Sequence, residues 1–147
     1  MFDQDVRPSN MGYTMNNGGT SLLDGVVLFD WASSCDLGSR PMFSGTLHYA
    51  ANDVLETLAG YGDPLSMANY DLESLVKSFW DITRGALERP RAVMIESADR
   101  PVQQVAQAIL TAWQTEEQTC QLLRRLLVLA RNGQYDSLRA EFENFHE

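Results

Sequence analysis

Two residues in this sequence could carry nucleophilic chemistry, Cys35 and His48. A histidine that accepts the proton of a thiol creates a thiolate, which can attack a substrate. Neither residue lies in a local signature of a cysteine enzyme, and Cys120 falls in the most apolar predicted helix, where a thiol acts as a core group. We therefore assign no catalytic residue. An enzyme or ligand-binding protein that uses Cys35 and His48, or a pair of carboxylates, is kept as an alternative.

Metal and cofactor chemistry has no motif in this chain. The sequence contains no C-x-x-C, H-x-x-x-H or H-E-x-x-H pattern and no D-x-D-x-D-G loop, which are the spacings that hold transition metals or calcium. Glycines of the N-terminal region lie in polar coil and not between a strand and a helix, and no G-K-[ST] occurs, so no phosphate cradle is predicted. We expect no cofactor and assign no cofactor-binding or metal-binding residue.

The pattern of apolar residues predicts a mainly α fold. We expect a flexible N-terminal arm over residues 1–20, which is rich in Asn, Gly, Met and Ser, followed by a single helical domain over residues 21–147. The domain is predicted to be a bundle of about five to six helices. Short strands within 22–50 and 92–96 are the alternative for those two stretches.

The region before Gly45 can be interpreted in two ways. Ser21 and Asp24 have the spacing of a capping box, and the apolar residues that follow share a helical face, which favours a helix. Gly25 and the run Val26-Val27-Leu28-Phe29 are typical of a buried strand. We favour the helix. After Gly45, a helix with Leu47, Val54 and Leu58 on one face is predicted to end at Gly60.

The clearest predicted helix begins at Asp71, a good N-cap, and ends before Pro90. Its apolar stripe is predicted to comprise Leu72, Leu75, Val76, Phe79, Ile82, Thr83, Ala86 and Leu87. Glu73, Lys77 and Asp81 fall on the other side. We expect them to form exposed i,i+4 pairs there, each worth a few tenths of a kcal/mol.

Three more helices are predicted in the C-terminal part. One has Pro101 in its first turn and is predicted to break or bend near Gln114, because Thr115 and Gln118 have capping-box spacing. The next is apolar on most sides, which is typical of a central buried helix, and ends at Asn132-Gly133. The last carries Tyr135, Leu138, Phe142 and Phe145 on one stripe.

Charge divides the chain unevenly. Residues 1–83 carry a net charge of −8 and residues 84–147 a net charge of −1, within a total of −9. Acids at predicted helix ends and in loops stay exposed, and such a surface attracts a basic partner. The candidate partner-binding residues are Asp24, Asp30, Asp36, Asp53, Glu56 and Asp63.

Eight arginines in the back half raise the question of nucleic-acid binding. Acids interrupt them, whereas phosphate binding needs clustered cations without interleaved acids. The net charge of −9 also opposes the approach of the chain to DNA. We expect ion pairs within the fold to account for these arginines, and we expect no direct nucleic-acid binding. Arg84, Arg89 and Arg91 form the one small group that could make a local basic patch. A helix-hairpin transcriptional regulator is a further alternative, although its last helix, residues 134–147, has one arginine against four acids.

These patterns together predict a non-enzymatic protein that binds another protein, as an adaptor or as an inhibitor of a larger bacterial protein. Its acidity resembles in composition the small phage and plasmid proteins that block host defence nucleases, which implies a surface that mimics nucleic acid. The sequence shows no secretory signal and no apolar run long enough for a bilayer. We therefore expect the cytoplasm of a bacterial cell, or of the host for a phage-encoded chain, and no membrane. Apolar stripes that exceed one small core predict a homodimer.

Overall fold

The computed structural model of the chain describes residues 2–3, 5–14, 25–28, 34–40, 43–84 and 99–144. Within these ranges it is mainly helical, as the sequence predicts. The α-helices, numbered along the chain, are α1 (Asn52–Ala59), α2 (Ala68–Arg84), α3 (Val102–Thr119), α4 (Gln121–Arg131) and α5 (Tyr135–Glu143). No helix of the described residues combines the length and the apolar character needed to cross a membrane.

Short strands pair before the first helix. The strands are β1 (Phe2–Asp3), β2 (Met11–Thr14), β3 (Gly25–Leu28) and β4 (Ser34–Cys35). β1 pairs with β4 and β2 with β3, both antiparallel, with Met11 opposite Leu28 and Thr14 opposite Gly25. The preference for a helix is therefore wrong for residues 25–28. A glycine followed by two β-branched valines suits an extended backbone better than a helical one.

The described part of the predicted N-terminal arm contacts the helices. Ser78 of α2 donates a hydrogen bond to the carbonyl of Val6, at 3.2 Å, and Val6 is buried. Asp5 is also buried, and its carboxylate accepts from Asn10 and from the backbone N–H of Thr46. The domain boundary near residue 20 stays a prediction, and the proposed strand at 92–96 lies outside the described residues.

Helix ends differ from the predicted ones for local reasons. α2 begins at Ala68, so Asp71 lies in its first turn, where a carboxylate favours the positive end of the helix dipole. The predicted break near Gln114 is wrong, because Thr115 donates to the carbonyl of Thr111 inside the helix and α3 continues to Thr119. The backbone turns at Cys120, which is extended. The predicted end of α4 at Asn132-Gly133 is confirmed, since Gly133 has φ +64°.

The core lies between the five helices. α1 packs along α3, α2 along α4, and α5 along α4. Trp113 of α3 is fully buried and donates its indole N–H to the carbonyl of His48 at 2.7 Å. α4 buries Leu123, Leu126, Leu127 and Ala130 and leaves Val128 45% exposed, so this helix has one open face instead of being buried on all sides.

Candidate functional site

A buried cluster of charged side chains was not foreseen from the sequence. Glu73 and Lys77 of α2 were expected on an exposed face, and that expectation is wrong: Lys77 is 0% and Glu73 2% exposed. The face of α2 that packs against the other helices includes Glu73, Val76, Lys77 and Trp80, and Ser78 beside it is buried against Val6. This face has helical spacing, but it is offset by one residue from the predicted stripe. Ile82, which belongs to the predicted stripe, is 63% exposed.

Lys77 is held by three oxygen atoms. Its Nζ lies 3.2 Å from Glu73 Oε1 and donates hydrogen bonds to Asn52 Oδ1 at 2.9 Å and to the carbonyl of Ala50 at 2.5 Å. The same ammonium lies 5.3 Å from the ring centre of Trp113, close enough for a cation–π contact. The ammonium can donate three hydrogen bonds, and it has three oxygen acceptors around it.

Arg131 of α4 extends this cluster toward the surface. Its Nε and one terminal nitrogen donate to the two oxygens of Glu73 at 3.2 and 3.1 Å, and its terminal nitrogens donate to both oxygens of Glu117 at 2.8 and 3.1 Å. Glu73 also accepts the backbone N–H of Asn52 at 3.0 Å. We call Glu73, Lys77, Glu117 and Arg131 the buried ionic cluster. It joins the start of α1 to α2, α3 and α4.

Burial and pairing shift the pKa values within the buried ionic cluster in a consistent way. Burial by itself raises the pKa of Glu73, but the charges of Lys77 and Arg131 and the hydrogen bonds to this carboxylate lower it further than burial raises it. Burial lowers the pKa of Lys77 more than Glu73 raises it. Burial disfavours the charged form of Arg131 too, yet its carboxylate partners leave its pKa above the usual value. Lys77 is 0% exposed, so the surrounding residues shield its amine from solvent.

The structure gives Cys35 and His48 different neighbours. Cys35 Sγ lies on β4 and donates to Ser66 Oγ at 3.1 Å. His48 is 4% exposed, and its ring packs edge-to-face on the rings of Tyr49 and Trp113, with centroids 4.6 and 6.5 Å away. The nucleophilic pairing of the two residues stays a prediction. His146 lies outside the described residues.

The more enclosed cleft among the described residues is small, and those residues form no metal cluster. A cleft lined by Phe43, Val54, Leu65 and Tyr70 has a volume of about 30 Å³, which suits a water molecule and is far below the size of a metabolite site. In the described ranges, no group of three or more His, Cys, Asp or Glu side chains is arranged to hold a metal ion.

Four of the six candidate partner-binding acids lie in the described part of the chain, and all four are exposed. They are Asp36, Asp53, Glu56 and Asp63, and we call them the acidic face. Asp24 and Asp30 lie outside the described residues.

The four residues of the acidic face lie on two parts of the structure, the paired segments 36–40 and 63–66 and the helix α1. The segment 36–40 runs beside 63–66: Gly38 donates to the carbonyl of Ser66 at 2.7 Å, and Arg40 donates to the carbonyl of Asp63 at 3.0 Å. Asp53 and Glu56 are one turn apart on the outer side of α1. The Asp53 carboxylate lies 3.5 Å from the Tyr70 hydroxyl. Burial, and then the charge of Asp53, raise the pKa of that tyrosine.

Several cations elsewhere in the described residues are paired, whereas Arg100 and Arg124 are exposed and form no ion pair with a described residue. Arg125 pairs with Glu141, Arg131 with Glu73 and Glu117, and Arg139 with Glu143. Ion pairing, expected for the back-half arginines, is thus confirmed for these three. The side chain of Arg84, and Arg89 and Arg91, lie outside what the structure describes. No carboxylate of the acidic face forms an ion pair with a described residue.

Comparisons with protein-family models, with curated proteins and with solved structures find no match to this chain.

Proposed function

We propose that this protein is a non-enzymatic adaptor or inhibitor that binds the basic surface of a larger protein through its acidic face. The observation that carries this proposal is the contrast between anions and cations. Asp36, Asp53, Glu56 and Asp63 are exposed and outside any ion pair with the described residues, whereas Arg125, Arg131 and Arg139 are neutralised within the fold. The negative charge of the front half is therefore available to a partner.

Physical chemistry favours such a surface as a recognition element. Exposed carboxylates of one sign attract a basic partner over about 10 Å at moderate ionic strength, and they accelerate encounter more than they strengthen the final complex. The net charge of −9 adds to this field. Binding through the acidic face should accordingly weaken steeply as salt is added.

A finer version of the proposal concerns the chemistry of the partner. A basic groove that receives phosphates in a nucleic-acid-binding enzyme presents the arginines and lysines that exposed carboxylates attract. When the acidic face occupies that groove, it blocks the binding of nucleic acid there. This protein would then act as an inhibitor in a bacterial or phage-infected cytoplasm. Duplex DNA should then displace this protein from its partner.

The experiment compares the wild type with two variants of equal net charge. The acidic-face variant carries Asp36→Asn, Asp53→Asn, Glu56→Gln and Asp63→Asn; the control variant carries Glu116→Gln, Asp136→Asn, Glu141→Gln and Glu143→Gln. Each immobilised protein is exposed to a bacterial lysate at low salt and washed with rising salt or with duplex DNA. We expect the wild type and the control variant to retain the same basic protein and the acidic-face variant to lose it. Equal retention by all three would contradict the proposal.

The predicted homodimer is a separate matter and stays a prediction. Light scattering at micromolar concentration tests it directly, and a mass equal to one chain would contradict it.

A further inference from the structure

The outer face of α4 carries apolar side chains that remain partly open to solvent. Leu122 and Leu129 are half-buried and pack against the core, and Val128 is 45% exposed. Leu122 and Leu129 are seven residues apart, so they lie on the same side of the helix, about 10 Å from each other along its axis. With Val128 they form an apolar strip about two helical turns long.

A shallow groove follows this strip. It has a volume of about 510 Å³. Its lining comprises Gln121, Leu122, Arg124, Arg125, Val128 and Leu129, all of α4, and we call it the α4 groove. Because one helix supplies all these residues, the α4 groove is a surface against which another element can pack and does not enclose a small molecule.

The α4 groove is positively charged, in contrast to the chain as a whole. Among the described residues, two guanidinium groups line it, those of Arg124 and Arg125, and no carboxylate does. Arg125 pairs with Glu141 of α5, whereas Arg124 is exposed and forms no ion pair with a described residue. One positive charge therefore remains, and Arg125, with five N–H donors, can bind a second carboxylate beside Glu141. An occupant that complements the α4 groove carries carboxylates.

The apolar strip indicates which kind of acidic polymer fits. Apolar residues with a seven-residue spacing on one helix match a second helix whose apolar residues recur every three or four positions. Nucleic acid could offer phosphates to the arginines, but it would leave the apolar strip uncovered, and the net charge of −9 opposes its approach. A short helix with a few carboxylates meets less of this repulsion and covers the strip.

We propose that the α4 groove binds an amphipathic, acidic helix of a partner protein. The apolar residues of that helix pack on Leu122, Val128 and Leu129, and its carboxylates pair with Arg124 and Arg125. This inference goes beyond the acidic face, because the two surfaces have opposite charge and share no residue. A chain with both surfaces would join a basic protein to an acidic helix, which gives an adaptor two specific contacts.

The test uses two fluorescent peptides of identical composition, made of leucine, glutamate and alanine and about four helical turns long. The leucines share one helical face in the amphipathic peptide and are spread around the helix in the scrambled peptide. Fluorescence anisotropy measures the affinity of the full chain for each. We expect the amphipathic peptide to bind at least about tenfold more tightly, since only this peptide can bury several leucines on the strip at once.

Two variants of equal net charge locate the binding. The groove variant carries Arg124→Glu and Val128→Glu, and the α3 variant carries Arg100→Glu and Val102→Glu. The α3 variant is a matched control, because Arg100 is exposed and outside any ion pair with a described residue, like Arg124, and Val102 and Val128 are 44% and 45% exposed. We expect the groove variant to bind the amphipathic peptide at least about tenfold more weakly than the wild type, and the α3 variant to stay within about twofold.

Several results would overturn this inference. Equal affinity for the two peptides is one, and equal weakening in the two variants is another. A third is duplex DNA that binds through Arg124 while neither peptide binds, because the α4 groove would then receive phosphates. Chemical shifts of the wild type give an answer that does not depend on the folding of a variant. The amphipathic peptide should change the signals of residues 121–129, and changes confined elsewhere would contradict binding in the α4 groove.

Discussion

Lys77 Nζ lies 3.2 Å from Glu73 Oε1, and the two side chains are 0% and 3% exposed. Taking two charges out of water costs several kcal/mol for each ion, and their attraction repays this only when further hydrogen bonds complete the pair. Asn52, the carbonyl of Ala50 and Arg131 supply those bonds. The pair therefore fixes how α2 packs against the start of α1. Its burial costs desolvation free energy that apolar side chains would not cost.

Removal of the lysine should destabilise the protein strongly. Lys77→Ala leaves Glu73 buried with only Arg131 as a cationic partner, and loss of one member of a buried pair costs about 3–5 kcal/mol. Arg139→Ala is the control, because Arg139 and Glu143 form an exposed i,i+4 pair, 67% and 63% exposed, which is worth about 0.5 kcal/mol or less. Urea denaturation followed by circular dichroism measures both free energies of unfolding. Equal losses in the two variants would contradict the structural role of the buried pair.

The buried ionic cluster should also make stability depend on pH. The pKa of Glu73 is lower in the folded chain than the value of about 4.3 for an unfolded glutamate. Its contribution is therefore fully present above about pH 4.3 and is lost as the pH falls through the folded pKa. Glu73→Gln should be less stable than the wild type near pH 7, and this difference should shrink in more acidic solution. A difference in unfolding free energy that is constant from about pH 7 to about pH 3 would contradict the lowered pKa.

The ends of α1 and α4 predict opposite effects of exchanging the residue that takes the left-handed conformation, which is Tyr61 (φ +61°) after α1 and Gly133 (φ +64°) after α4. Tyr61→Gly should raise the free energy of unfolding by about 0.5–1 kcal/mol, because it relieves a left-handed side chain. Gly133→Ala should lower it by about 1 kcal/mol through strain alone, because an added Cβ there meets no atom within 4 Å. Thermal unfolding of the two variants tests the pair. A clear loss of stability in Tyr61→Gly would show that the tyrosine ring contributes to the fold.

The fold class could be predicted from the sequence because helical periodicity is strong in α3 and α4, where the core residues are apolar. The same reasoning failed on α2. Two of its five buried residues, Glu73 and Lys77, are charged, so the hydrophobic pattern pointed one residue away from the buried face. Trp80, the largest apolar side chain of that helix, fell outside the predicted stripe and was the signal that could have corrected the orientation.

The sequence could predict only part of the candidate site. Exposure of Asp36, Asp53, Glu56 and Asp63 follows from their places in loops and on the outer side of α1, which local patterns indicate. The contact of 36–40 with 63–66 and the positive φ of Tyr61 are different. Single-sequence patterns carry neither long-range pairing nor φ, so both could be found only in three dimensions.

The affinity of the captured partner for three versions of this chain tests the central claim most directly. The three versions are the wild type, the acidic-face variant and the control variant of equal net charge, each measured by calorimetry at low and at moderate salt. We predict that the acidic-face variant binds at least about tenfold more weakly than the wild type at low salt and that the control variant stays within about twofold. Equal weakening in both variants would mean that net charge alone acts, and unchanged affinity in the acidic-face variant would contradict binding through these carboxylates.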